Sequence, residues 1–326
     1  MSSGQPVVAE IVRSGFVEGH HYGSVVALDP DGSVAWSVGD VDRTMLPRSC
    51  NKPLQALAMV RLGLDLAPDL LALACASHSG EPFHVDGVRR ILAAAGLDES
   101  ALRTPPDLPL DDAAADEVRR AGGKPSSVLM NCSGKHAAML ATCVLRGWDV
   151  DGYLDPDHPL QREIRATYAG MTAEPVQVVA VDGCGAPLLS TTLIGLARAF
   201  SLLARGRDGD GRPDPDVLRV ADAVRAHPEQ VSGSTRDERA LLTALPGAVA
   251  KAGAESCYAL GLADGRAVAL KADDGAPRVR PVLMAAALRR WGVDTEDGVD
   301  TEAVRRTGEV PVLGAGVVVG EIRATF

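Results

Sequence analysis

Lysine is scarce in this chain. Only five lysines stand among its 33 basic residues, and the other 28 are arginine. Aromatic residues make up 3% of the 326 positions, no basic run occurs, and the net charge is −10 with a pI near 5.2. An acidic chain without basic stretches lacks the electrostatic footprint of a nucleic-acid or anionic-membrane surface. No apolar run approaches the ~20 residues needed to span a bilayer. The opening Met1-Ser2-Ser3-Gly4-Gln5-Pro6 has neither the basic nor the apolar region of a secretion signal. Together these absences predict a cytoplasmic protein acting on a small molecule, with no nucleic-acid and no membrane partner. The six cysteines, at positions 50, 75, 132, 143, 184 and 257, form no regular framework and are expected as thiols. Cys75 and Cys143 lie in apolar helical stretches and are expected in the core.

What is present is enough to fold: 46% of the residues are apolar, sufficient for a full core. Ser24–Leu28 and Ser33–Val38 are β-rich and joined by the turn Asp29-Pro30-Asp31-Gly32, a hairpin. From Pro53 to about Leu203 the apolar spacing turns helical, with helices expected at 54–62, 69–76, 85–95, 113–121, 137–145, 160–171 and 189–203. Val176–Val181 interrupts them as a buried strand. Arg205–Pro215 reads as an exposed loop, followed by helices at 216–226 and 279–291, a hairpin through Ala263-Asp264-Gly265, and one closing strand at 312–325. Strands at both ends around a helical block predict an α/β (α+β) fold, an antiparallel sheet flanked by helices whose first and last strands meet. The expected organisation is one catalytic domain, 1–326, with a mainly helical subdomain at about 53–205 between sheet-forming segments 7–40 and 248–326.

The rare lysines sit in distinctive company. An ammonium gives up its proton when buried or set beside another cation, which guanidinium does not. Ser49-Cys50-Asn51-Lys52 precedes Pro53, which suits a first helical turn. Residues three apart on a helix share a face, so Ser49 and Lys52 are placed to work as nucleophile and base. Ser77-His78-Ser79-Gly80-Glu81 crowds hydroxyls, imidazole and carboxylate at a helix end. Cys132-Ser133-Gly134-Lys135 sets a thiol and an amine one turn apart, and Asp182-Gly183-Cys184-Gly185 leaves a strand. Thiolate suits zinc, though the spacing matches no standard zinc pattern. Lys251 and Lys271 fall at strand ends, and the acidic neighbours of Lys271 make Lys251 the better catalytic candidate.

In order, Arg48-Ser49-Cys50-Asn51-Lys52-Pro53, Ser77-His78-Ser79-Gly80-Glu81-Pro82, Asn131-Cys132-Ser133-Gly134-Lys135-His136, Val181-Asp182-Gly183-Cys184-Gly185, Lys251-Ala252-Gly253-Ala254-Glu255 and Lys271-Ala272-Asp273-Asp274-Gly275 resemble the signature series of the Rhizobium etli-type L-asparaginases, from about Val7 to the C-terminus. The resemblance implies a serine β-lactamase/glutaminase-like fold and hydrolysis of L-asparagine to L-aspartate and ammonia. It implies Ser–Lys pairs of Ser49 with Lys52 and of Ser77 with Lys251, Ser79 being the alternative to Ser77. It further implies substrate binding by Arg48, Asp182 and His78, a Zn2+ ion held by Cys132, Lys135 and Cys184, and a homodimer. Ser256 stands where the family often has glycine, and Ala186 where valine is expected. Glutaminase activity differs by one methylene of substrate, worth only ~1–3 kcal/mol in a pocket. A β-lactamase or penicillin-binding-type acyl hydrolase shares Ser-x-x-Lys, but the chain has no Lys-Thr-Gly triplet. A non-catalytic zinc or thiol sensor is the alternative of a different class.

Overall fold

The computed structural model describes residues 4–326. In chain order the elements are β1 Val7–Arg13, β2 Phe16–Leu28, β3 Val34–Val38, α1 Lys52–Arg61, α2 Pro68–Ala74, α3 Pro82–Ala94, α4 Asp112–Arg120, α5 Ser133–Arg146, α6 Pro159–Thr172, β4 Val179–Val181, β5 Pro187–Leu189 and α7 Leu193–Ala204. They continue with α8 Pro215–Ala226, α9 Pro228–Val231, α10 Asp237–Ala244, β6 Val249–Gly253, β7 Cys257–Gly261, β8 Ala267–Ala272, α11 Val279–Arg290, α12 Thr301–Thr307, β9 Val310–Gly314 and β10 Val317–Ala324. Among the described residues no helix is long and apolar enough to cross a membrane. The chain forms two compact units, a sheet unit of Met1–Cys50, Thr191–Arg205 and Ala240–Phe326 and a helical unit of Asn51–Ser190 and Gly206–Arg239.

The sheet unit is built on eight antiparallel strands in the order β6-β7-β8-β2-β1-β10-β9, with β3 also on β2. The expected meeting of the chain's two ends is real: Ala9 lies opposite Ala324 and Ile11 opposite Ile322. Helix α7 packs on β2, β7 and β8, and α11 packs on β8 and β10. The antiparallel sheet flanked by helices is therefore the fold. Every residue of β6 and β7 is buried, so their short apolar runs are covered on both faces rather than alternating in and out.

Local chemistry moved several boundaries. The helix expected from Leu189 begins at Leu193, because the Thr192 side chain accepts the Gly195 N–H as an N-cap. The residues before it, Pro187–Leu189, pair with Val179–Val181 instead. The single closing strand is a hairpin, turned at Ala315 and Gly316 with φ of 49° and 82°.

In the helical unit α1 is the central element. Lys52 through Val60 are all buried, and the helix packs on α2, α5, α6 and α8, as all-round burial requires. Helix α5 comes close to α2 at Gly134, where a Cβ would lie 2.6 Å from the Leu73 carbonyl oxygen.

The β6–β7 turn carries strain. Glu255 and Ser256 hold φ of 53° and 51°, and the buried Ser256 hydroxyl has no hydrogen-bond partner. A left-handed residue with a Cβ costs roughly 1–2 kcal/mol, offset in part by the ~0.4–1 kcal/mol of chain entropy that glycine adds to the unfolded state. Ser256→Gly is expected to raise the urea midpoint of unfolding modestly; a lowered midpoint contradicts this account of the turn.

Candidate active site

In the helical unit, Lys52 opens α1 and is 0% exposed. Its Nζ donates to the Ser77 hydroxyl at 2.9 Å and to the Ala76 carbonyl at 2.5 Å. A 3-10 turn, Arg48–Asn51, leads into the helix, and Pro53 occupies its first turn, where the absent N–H costs no hydrogen bond.

Ser77 is held from several sides. Its N–H donates to the Val231 carbonyl at 3.1 Å, and Arg236 Nη1 donates to its carbonyl at 3.3 Å. The Ser79 hydroxyl donates to the Ser232 carbonyl at 2.7 Å, so of the two serines it is Ser77 that meets the lysine. The strap 231–236 went unnoticed in the sequence. Its one signal was the turn-forming Ser232-Gly233-Ser234. Gly233 has φ of 140°, and a Cβ there would lie 1.9 Å from the Ser79 hydroxyl, so no other residue fits.

His78 is occupied at both ring nitrogens. Nδ1 accepts the Gly80 N–H at 3.1 Å, which leaves the proton on Nε2 to donate to Ser133 Oγ at 2.8 Å. Ser133 passes its own hydroxyl proton to the Val128 carbonyl, also at 2.8 Å. Burial pushes the His78 pKa well below its ordinary value, so the ring is neutral. In this arrangement it braces the segment around Ser77.

The zinc expectation is corrected. Among the described residues no group of three or more His, Cys, Asp or Glu side chains could hold a metal ion. The three residues concerned do come together, but as a charge-balanced set. Lys135 Nζ donates to Cys184 Sγ at 3.2 Å. A hydrogen bond from Cys132, aided by the positive charge of Lys135, holds the Cys184 thiol far below its ordinary pKa. The Cys132 thiol is pushed up by the same hydrogen bond and by burial. Burial works against the Lys135 ammonium, yet the thiolate beside it outweighs burial and raises its pKa. Only two of the three, Cys132 and Cys184, are of the donor types counted, and the Lys135 amine is engaged with one of their sulfurs, so the set falls short of a metal site. Asp182 lies beside it, with Oδ2 3.7 Å from Cys184 Sγ.

In the sheet unit, Arg48 adopts φ of 53° and pairs with Glu255 at 3.4 Å. Ser49 is buried. The next residue, Cys50, donates from Sγ to the Lys251 carbonyl at 3.1 Å, which seats this stretch on β6. Lys251 is 0% exposed, and its amine donates to the Ala252 carbonyl at 2.9 Å. Half-buried Lys271 is spent on the Glu255 carbonyl at 2.8 Å.

The chain belongs to the L-asparaginase II family, whose family model matches residues 9–324. Among solved structures, native Mglu is 14% identical with a TM-score of 0.44, covering 84% of this chain. The chain spans only 64% of the length of that Mglu chain. A β-lactamase from Mycobacterium bovis is 15% identical (TM-score 0.39, 88% of this chain and 97% of that one). A Bacillus glutaminase is 12% identical (TM-score 0.38, 83% and 91%). No curated protein matches the chain.

His84 stacks on His78 with ring centroids 5.1 Å apart, and burial lowers its pKa from 6.5 to about 4. The unfolded chain takes up this proton below about pH 6.5, whereas the folded chain resists until about 4. The stabilisation is complete above that window and is lost as pH falls through it. Urea midpoints are expected to fall less between pH 6.5 and 4 in His84→Gln than in the wild type; equal slopes contradict the assignment.

Proposed function

We propose that this hydrolase cleaves the side-chain amide of L-asparagine through an acyl-enzyme on Ser49. Family membership supports the reaction, and the contact between the buried Lys52 amine and the Ser77 hydroxyl is the observation that carries the mechanism. The resemblance to the Rhizobium etli-type enzymes supplies the finer assignments: asparagine over glutamine and a homodimer.

In this reading Lys52, in its neutral form, takes the Ser49 proton as Oγ attacks the amide carbon. Ser77 relays a proton to the departing nitrogen, the C–N bond breaks, and ammonia leaves an aspartyl ester on Ser49. Water then attacks the ester carbon as Lys52, neutral again after its proton has left through Ser77 with the ammonia, takes a proton from it; the C–O bond to Ser49 breaks, and the lysine passes that proton to Ser49 Oγ. Lys251 supports the second serine in proton transfer. Arg48 exchanges its weak pairing with the exposed Glu255 carboxylate for the bidentate α-carboxylate of the substrate. Asp182 receives the α-ammonium. Lysine is required at position 52 because arginine cannot act as a neutral base.

The test is ammonia release by the purified protein from L-asparagine and from L-glutamine. The wild type is expected to favour asparagine, and Ser49→Ala and Lys52→Met each to lower kcat by roughly 10²–10⁴. Wild-type turnover in Ser49→Ala removes the nucleophile assignment. Release from glutamine alone replaces the substrate.

A further inference from the structure

The stretch Lys271-Ala272-Asp273-Asp274-Gly275 takes no part in the mechanism above, yet it converges on one neighbour within the sheet unit. Lys271 Nζ donates to the Glu255 carbonyl at 2.8 Å, and the Ala272 N–H donates to the Ser256 carbonyl at 3.2 Å. Gly275, with φ of 71°, makes room for the Glu255 carboxylate: a Cβ there would lie 2.3 Å from Oε2. The stretch is itself anchored. Asp273 accepts from Arg43 at 2.7 Å, and its N–H donates to the Tyr22 carbonyl at 2.8 Å. The buried His21 on β2 donates from Nδ1 to Asp274 Oδ2 at 2.5 Å.

The side chain so carefully seated is 60% exposed, and its ion pair with Arg48 is long, at 3.4 Å. An exposed pair of that length adds little to stability. Holding it has a cost, because Arg48 and Glu255 both adopt φ of 53°, a left-handed conformation that disfavours any residue with a Cβ. Strain of this kind gathers at ligand clamps. We propose that Arg48 and Glu255 together read the two charges of an α-amino acid, with Glu255 receiving the α-ammonium and setting the selectivity for amino substrates.

This assignment rests on the asparagine reading and extends it. A zwitterion entering between the two residues exchanges partners without changing the charge balance. The guanidinium passes from the Glu255 carboxylate to the substrate carboxylate, and Glu255 passes from guanidinium to ammonium. A substrate with a carboxylate and no ammonium draws Arg48 away and leaves Glu255 facing a second anion, so like charges reject it. An ammonium carries three donors, and the contact with Glu255 therefore adds to the one proposed for Asp182.

The experiment compares L-asparagine with succinamate, the same amide lacking the α-amino group, in the wild type and in Glu255→Gln. The variant keeps the size of the side chain and an oxygen for Arg48, and removes only the charge. The preference for L-asparagine, read as the ratio of the two KM values, is expected to shrink by about tenfold or more, the size of a lost charge-assisted hydrogen bond. KM for L-asparagine rises, and KM for succinamate does not. A Glu255 that merely holds Arg48 in place raises both KM values together, and that result, or an unmoved ratio, overturns the proposal.

Calorimetric titration with L-aspartate and with succinate repeats the comparison without turnover. The wild type is expected to prefer L-aspartate, and Glu255→Gln to lose most of that preference. A protein that shows this loss yet releases no ammonia from L-asparagine sinks the asparaginase reading alone. An active asparaginase whose preference survives Glu255→Gln in both measurements sinks the role of Glu255 alone.

Discussion

The contact between Lys52 Nζ and Ser77 Oγ constrains much of the helical unit around it. A lysine amine with no exposed surface is tolerated only where its donors are satisfied, and the Ser77 hydroxyl and Ala76 carbonyl provide two acceptors. Those acceptors sit on an irregular stretch after α2, whose backbone groups need partners of their own. The strap 231–236, the Asn131 carbonyl and the neutral His78 supply them. One buried amine thus dictates a central helix buried on all sides, a braced serine and a glycine at 233 that admits no side chain.

The scarcity of lysine follows the same logic. Lys52, Lys135 and Lys251 are at most 2% exposed, and each has a specific acceptor: a serine, a thiolate and a backbone carbonyl. Lys124 is exposed, and Lys271 is half-buried on the backbone of the β6–β7 turn. Arginine carries the surface ion pairs, among them Arg43 with Asp273 and Arg61 with Asp214. Where a positive charge must be buried as a compact group able to change protonation state, the chain uses lysine.

How much was legible in the sequence depended on how local the cause was. Apolar spacing located the helices, and β-rich stretches at the two ends anticipated that β1 and β10 would pair. The boundary at Leu193 and the hairpin at 310–324 were misread, because a threonine cap and a left-handed turn at Ala315 are decided by single residues inside an otherwise regular pattern. The scarcity of lysine drew attention to the lysines, and the polar clusters around them to Ser49 and Ser77; the roles of these residues came from the family resemblance. The strap at 231–236 was not, since its contribution is backbone carbonyls that any sequence has. The zinc expectation failed on donor count: of the three implied ligands only Cys132 and Cys184 are among the His, Cys, Asp and Glu side chains of which a site needs three, and Lys135 is engaged with Cys184 Sγ.

A double-mutant cycle across Lys52 and Ser77 tests the central contact most directly. The kcat/KM for L-asparagine is measured for wild type, Lys52→Met, Ser77→Ala and the combined variant. If the amine and hydroxyl act as one unit, the double variant is no worse than the more damaged single variant. Losses that multiply mean the two side chains work independently, and the contact at 2.9 Å is then packing rather than machinery.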